Sequence, residues 1–198
     1  MHITVGNATK VSGMFFTDQF GNNTSDIDVR YMLHGYSPIY WSTQLSFEAD
    51  PTVVQSMTST DEADGSRVYT ITLNQGLLWN DGVTPVTAAD YVFSLLLTTS
   101  DEFLGIGAST GKWEYIIGYE AYASGQSDIL SGVRLIDEYT FSVAISADWL
   151  PYFYELDYLF IYPYPISAIA PGCMVKDDGE GAFICNADAD EENPLYTA

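Results

Sequence analysis

Residues 67–97 leave the chain little conformational freedom. In Arg67-Val68-Tyr69-Thr70-Ile71-Thr72-Leu73 the residues Tyr69, Ile71 and Leu73 fall on one face of a strand. Asn74-Gln75-Gly76 turns the chain, Leu77-Leu78-Trp79 supplies a second apolar stretch, and Asn80-Asp81-Gly82 turns it again, with glycine where positive φ is tolerated. Thr87-Ala88-Ala89-Asp90 then reads as a capping box with Asp at N3. Val86 precedes it to staple against Tyr91, which predicts a helix over residues 88–97. Strand, turn, strand, turn and helix in one uninterrupted run demand a fold that packs helices on a sheet, an α+β arrangement. Trp79, beside a tight turn, is read as a core residue.

The flanking sequence fits that class. Ile3-Thr4-Val5 is a short strand, and residues 18–25, rich in Gly, Asn and Asp, form a loop. A helix follows, capped by Ser25 or Asp26. Its apolar face is Ile27, Tyr31, Met32 and Leu33, Gly35 ends it, and His34 is a cation in its last turn. Residues 52–57 lie between polar, breaker-rich segments at 48–51 and 58–65. A further helix is expected over residues 113–123, ended by Gly125. Residues 133–136 and 139–145 form a hairpin about Asp137-Glu138, with Tyr139, Phe141, Val143 and Ile145 on one face. Pro151 opens an aromatic stretch over residues 152–162, helical at first, that Pro163 and Pro165 draw out. Residues 171–193 read as an acidic loop.

Charge excludes several functions. Against 27 Asp and Glu stand 6 Lys and Arg, a formal net charge of −21, and such a polyanion is repelled by phosphate backbones and anionic membranes. With 15 Tyr, 10 Phe and 4 Trp the chain nevertheless carries enough apolar surface to bury a core. It has neither a run of 18 apolar residues nor a signal-peptide pattern at Met1-His2-Ile3-Thr4-Val5.

Short motifs give weak chemical signals. Gly107-Ala108-Ser109-Thr110-Gly111 matches G-x-S-x-G, but a nucleophile elbow needs a buried strand before it and a histidine after it. Here Asp101 and Glu102 precede it, and His2 and His34 lie upstream. Asn186-Ala187-Asp188-Ala189-Asp190 imitates the start of an EF-hand loop. Glu191 stands where glycine belongs and Thr197 where the bidentate Glu belongs, so a solvated acidic loop is the reading. Two distant histidines and two cysteines do not make a zinc site, and no cofactor is expected. Cys173 and Cys185 lie close enough in sequence for one short disulfide loop or for two reduced thiols in a loop, and the bridged form is the expectation. The closed loop, residues 173–185, would stabilise the fold by roughly 3 kcal/mol.

The ordered strings Val68-Tyr69-Thr70-Ile71-Thr72-Leu73, Gly76, Trp79-Asn80-Asp81-Gly82, Pro85-Val86-Thr87-Ala88-Ala89-Asp90 and Val92-Phe93-Ser94 together resemble a known signature. Gly132-Val133, Ile136-Asp137, Tyr139-Thr140 and Pro151-Tyr152-Phe153-Tyr154 extend it. They resemble the oligopeptide- and dipeptide-binding extracytoplasmic solute-binding proteins of ABC transporters, family 5. The resemblance implies a periplasmic-binding-protein-like type II α/β (mixed α+β) fold, of which this chain holds part of the first lobe and the small domain, without the second lobe. Residues 1–36 would be the first segment of lobe I, 37–165 the small domain, and 166–198 an acidic Cys-containing return toward lobe I.

The resemblance further implies a substrate-binding component of an ABC importer and not an enzyme. It would capture oligopeptides or dipeptides outside the membrane, as a monomer, and deliver them to permease subunits. The full-length protein would be lipid-anchored at the surface or free in a periplasm. Ligand-binding residues carried over from the family are Ser12, Gly13, Met14 and Phe15 after the first strand, and Phe103, Leu104 and Gly105. The alternative is an acidic surface module that binds Ca²⁺ or a partner protein through its tail.

Overall fold

The computed structural model describes residues 6, 9–13, 20, 23–33, 35–109 and 112–186. The expected strand at residues 3–5, His34, and most of the EF-hand-like string lie outside these residues. A four-stranded antiparallel sheet organises the described chain: β3 (Val54–Asp61), β4 (Arg67–Leu73), β5 (Val133–Asp137) and β6 (Thr140–Ile145), in the order β3-β4-β6-β5. Two small hairpins flank it, β1 (Ile39–Trp41) with β2 (Phe47–Ala49) and β7 (Cys173–Asp177) with β8 (Ala182–Asn186).

The capping box is present. The Asp90 carboxylate accepts from the Thr87 backbone N–H at 2.9 Å and from Thr87 Oγ1 at 3.3 Å, and α2 (Ala88–Thr99) follows. Val86 and Tyr91, the staple pair, are both fully buried. Tyr91 stacks on Phe141 at 5.3 Å, which docks α2 on the sheet. Almost every side chain of α2 is buried because β5, β6 and the β7–β8 hairpin all lie against it. Trp79 packs partly buried against this core, as the sequence predicts.

Residues 77–79 form no second strand, only a single bridge from Leu78 to Pro85, and four further elements depart from sequence expectation, each for a tertiary reason. β3 runs through Thr58, Ser59 and Thr60 to Asp61, since an edge strand with both faces wet suits Ser and Thr and its backbone pairs with β4. The helix expected over residues 113–123 shrinks to α4 (Tyr119–Ala123), behind α3 (Asp101–Gly105). Residues 115–117 instead extend the sheet: the Ile117 N–H donates to the Ala144 carbonyl and the Ser146 N–H to the Tyr115 carbonyl. Gly118, at φ +82°, separates the two conformations.

The acidic loop proves to be the β7–β8 hairpin. Val175 and Ala182 are buried, and the Asp177 carboxylate grips Arg134 of β5 through two contacts of 2.7 Å. The expected disulfide falls on this hairpin. The two thiols are unbridged in this structure, where the register sets Cys173 opposite Asn186 and Cys185 opposite Met174, so the two side chains leave opposite faces.

The fourth departure is α1 (Thr24–Leu33), which is turned inside out. Ser25, Asp26 and Arg30 are buried, while Tyr31, Met32 and Leu33 are 64%, 77% and 64% exposed. Its cap is Asn23, one place before the helix and not Ser25 or Asp26. Asn23 Oδ1 and the Asn23 carbonyl both accept from the Asp26 N–H at 3.1 Å.

Candidate functional site

An open cavity of about 550 Å³ lies where the end of α1, the β1–β2 hairpin and residues 157–162 meet. Backbone chemistry explains why this place is aromatic and open. Tyr36 adopts a left-handed backbone at φ +66°, rare for a bulky residue, and the Tyr91 hydroxyl donates to its carbonyl from the core beneath. Burial pushes the Tyr91 phenol far above its usual range, so it remains a donor. The Tyr36 hydroxyl in turn donates to the Leu78 carbonyl at 3.0 Å.

The register then pairs Trp41 with Phe47, their rings 4.7 Å apart edge to face, and Tyr154 closes on both at 5.9 and 6.0 Å. Phe160 and Tyr162 form the opposite wall, 5.4 Å apart. The 3₁₀ turn Glu155–Leu159, which carries this wall, is fixed from below. Arg67 donates to both Glu155 oxygens at 2.8 Å, Tyr69 donates to Oε1 at 2.5 Å, and Arg67 also bonds Asp61. Burial, then the bond to Glu155, pushes the Tyr69 phenol up to about 12. Asp61, Tyr69 and Glu155, hydrogen-bonded to Arg67, hold its guanidinium in the charged form.

The cavity is electronegative. Asp50 and Asp157 line it, and among the described lining residues none is basic. Asp50 Oδ1 is occupied by the Thr52 N–H at 2.8 Å and Thr52 Oγ1 at 2.6 Å. Glu48 accepts from Ser46 Oγ at 2.9 Å and from the Tyr40 hydroxyl at 3.3 Å, and its charge is the main cause raising the Tyr40 phenol.

The residues carried over from the family are placed as follows. Ser12 is clamped to the α1 N-terminus: its N–H donates to Asp26 Oδ1 at 2.8 Å and its hydroxyl to Oδ2 at 2.5 Å. Asn23 Nδ2 also donates to that carboxylate, and the bonds from Ser12 in particular lower its pKa. Gly13 follows, exposed, at φ +88°. Met14 and Phe15 lie outside the described residues. Phe103 is buried, its ring 5.3 Å from Phe20, while Leu104 is half-buried and Gly105 exposed. Phe103 faces the core, with Phe20 packed against it.

Ser109 is exposed on a loop, and neither His2 nor His34 is among the described residues. The aromatic cavity itself escaped sequence reasoning. Its one legible signal is the density of aromatics over residues 152–162, and nothing marks Tyr36, Tyr40, Trp41 and Phe47 as neighbours of that stretch.

Comparison with known proteins decides the family. Residues 52–193 match the profile of the bacterial extracellular solute-binding proteins, family 5, middle region. The chain belongs to this family. The periplasmic oligopeptide-binding protein OppA of Escherichia coli is 30% identical over 131 residues, which cover 66% of this chain and 22% of that protein. OppA of Salmonella typhimurium is 32% identical over 105 residues, 52% of this chain and 19% of the relative.

Among solved structures, a periplasmic oligopeptide-binding protein (OppAIV) of Borrelia burgdorferi superposes with a TM-score of 0.56 at 19% identity, over 90% of this chain and 41% of that one. OppA of Burkholderia pseudomallei gives 0.53 at 20% identity, over 70% and 26%. These likenesses establish the fold. The matched stretch spans about a fifth of the curated relatives' length. Family 5 is a family of binding proteins, and the acidic-module alternative gains no support. Among the described residues no cluster of three or more His, Cys, Asp or Glu fits a metal ion. Among them, too, no helix is long and apolar enough to cross a membrane.

Proposed function

We propose that this chain is part of the substrate-binding component of an ABC importer that captures oligopeptides or dipeptides outside the cytoplasm and passes them to its permease. The observation that carries the reading is the family 5 match across residues 52–193. In this reading residues 37–165 are the small domain, residues 1–36 and 166–198 belong with the first lobe, and the second lobe lies in the further length that the relatives carry. The protein acts as a monomer, lipid-anchored or free in a periplasm, and breaks no bond.

The ligand lies against Ser12, Gly13, Met14 and Phe15, with Leu104 and Gly105 beside them and Phe103 supporting from beneath. Asp26 fixes the first of these segments through Ser12. Main-chain hydrogen bonds from two lobes supply affinity, and roomy side pockets tolerate sequence.

Calorimetry of a peptide library against this chain and against the full-length protein tests the proposal. A one-sided contact leaves the peptide's polar groups to water. The chain alone is expected to bind at millimolar Kd or weaker, roughly −4 kcal/mol, and the full-length protein far more tightly. Micromolar binding by the chain alone would overturn the two-lobe mechanism, and a full-length protein that binds no peptide would overturn the ligand class.

A further inference from the structure

The aromatic cavity has a chemical signature of its own. Its walls are ring faces and edges from Tyr36, Trp41, Phe47 and Phe160, and aromatic faces carry the negative end of a quadrupole. Its two charged lining groups, Asp50 and Asp157, are both carboxylates. They differ in availability. Thr52 occupies one oxygen of Asp50, whereas Asp157 is exposed on the turn that carries the Phe160 wall.

Among the described residues, two arginines are committed elsewhere. Arg67 is held between Asp61 and Glu155 beneath the turn, and Arg30 is buried on the inner face of α1. The field at the cavity is therefore negative from ring faces and carboxylates together, on a chain of net charge −21. An anionic occupant is repelled. A neutral apolar occupant gains contact with the rings but leaves the carboxylates without a partner.

The complement is an organic cation on an alkyl stem. Its stem packs on the rings, its charge sits over a ring face within about 6 Å of the centroid, and its N–H groups reach a carboxylate. We propose that this cavity is a binding site for a guanidinium or ammonium group, the side chain of an arginine or lysine residue. A volume of about 550 Å³ holds such a side chain with part of its backbone. The wall is also built to keep its shape. Tyr36 is locked from the core by Tyr91, and the 3₁₀ turn is anchored by Arg67 and Tyr69, so little ordering cost remains when the ligand arrives. Choosing a peptide residue as the source of the cation rests on the proposed peptide-binding function; the chemistry of the cavity does not.

The test uses single capped residues, which are too small to need a second lobe. N-acetyl-arginine amide and its neutral counterpart N-acetyl-norleucine amide are titrated into the 198-residue chain. Binding is followed by NMR of the tryptophan indole N–H signals, with that of Trp41 assigned by its loss in Trp41→Leu.

The arginine probe is expected to shift the Trp41 signal with a Kd about 5- to 10-fold below that of the norleucine probe, an advantage that shrinks as salt is raised. Asp157→Asn, at an exposed position, is expected to remove most of that advantage without altering the melting temperature. Trp41→Leu weakens both probes. Equal affinity for the two probes would overturn the proposal in favour of an apolar groove. Failure of both to shift Trp41 would overturn it in favour of a surface covered by other chain, and an Asp157→Asn variant that keeps the full arginine preference would remove the assigned carboxylate. None of these results depends on whether the full-length protein captures peptides, so the two readings fail separately.

Discussion

Docking of the β7–β8 hairpin on the sheet is assigned here to one carboxylate, and its removal has a calculable cost. The Asp177 side chain is 8% exposed and accepts from Arg134 Nε and a terminal guanidinium nitrogen, both at 2.7 Å. It also accepts from the Leu135 N–H at 3.0 Å and the Gly179 N–H at 2.9 Å. A hydrogen bond to a charged group contributes about 1.5–3 kcal/mol. Arg134 is 39% exposed and can rehydrate, so about 1 kcal/mol per contact is the appropriate discount.

Asp177→Asn keeps a carbonyl for the backbone donors and loses the pair, about 2 kcal/mol. Asp177→Ala also strands the Leu135 N–H on half-buried β5, for a total of about 3–4 kcal/mol. For a chain of this length 2 kcal/mol lowers Tm by roughly 4–8 °C. Because Arg134 above all holds the Asp177 carboxyl below its usual range, the stabilisation is complete above the unfolded pKa near 3.9. It is lost as pH falls through the lower, folded value. Denaturant melts of parent and Asp177→Asn at pH 7 and pH 3 check this: the gap should be full at pH 7 and narrow at pH 3. Equal stability at pH 7 would refute the assigned docking, and a gap unchanged at pH 3 would refute its electrostatic origin.

Three further outcomes are expected. Gly132→Ala should lower stability by about 3 kcal/mol in a urea melt, since its new Cβ would stand 2.5 Å from the Ile117 carbonyl and 2.8 Å from the Ile117 nitrogen, both backbone atoms. Arg67→Met should destabilise by about 2–3 kcal/mol, because Glu155, 12% exposed, keeps only the Tyr69 hydroxyl; Glu155→Gln in the same background should recover part of it. Alkylation without reduction should label both Cys173 and Cys185, measured by mass, and an unlabelled pair would restore the bridge that the register argues against.

Local sequence chemistry was sufficient for the elements that decide themselves. β4 occupies residues 67–73 because its alternation and flanking turns need no distant partner to be specified, and α2 begins at Ala88 because Thr87 and Asp90 cap it from within their own turn. The ordered strings around them sufficed for the family. The sequence also placed Gly132 ahead of a strand, although only packing shows that Ile117 leaves no room for a Cβ there.

What tertiary structure decided shares one cause, a choice between local preference and a distant partner. Residues 115–117 gave up helix for the end of β6, and the acidic stretch after Pro171 became a hairpin once Asp177 could reach Arg134, 43 positions away in sequence. The inversion of α1 follows from Asp26, whose carboxylate binds Ser12, so a polar face that periodicity assigns to solvent is drawn inward. The aromatic cavity joins residues 31–50 to residues 157–162, and no pattern within either segment reports that the chain between them brings the two together.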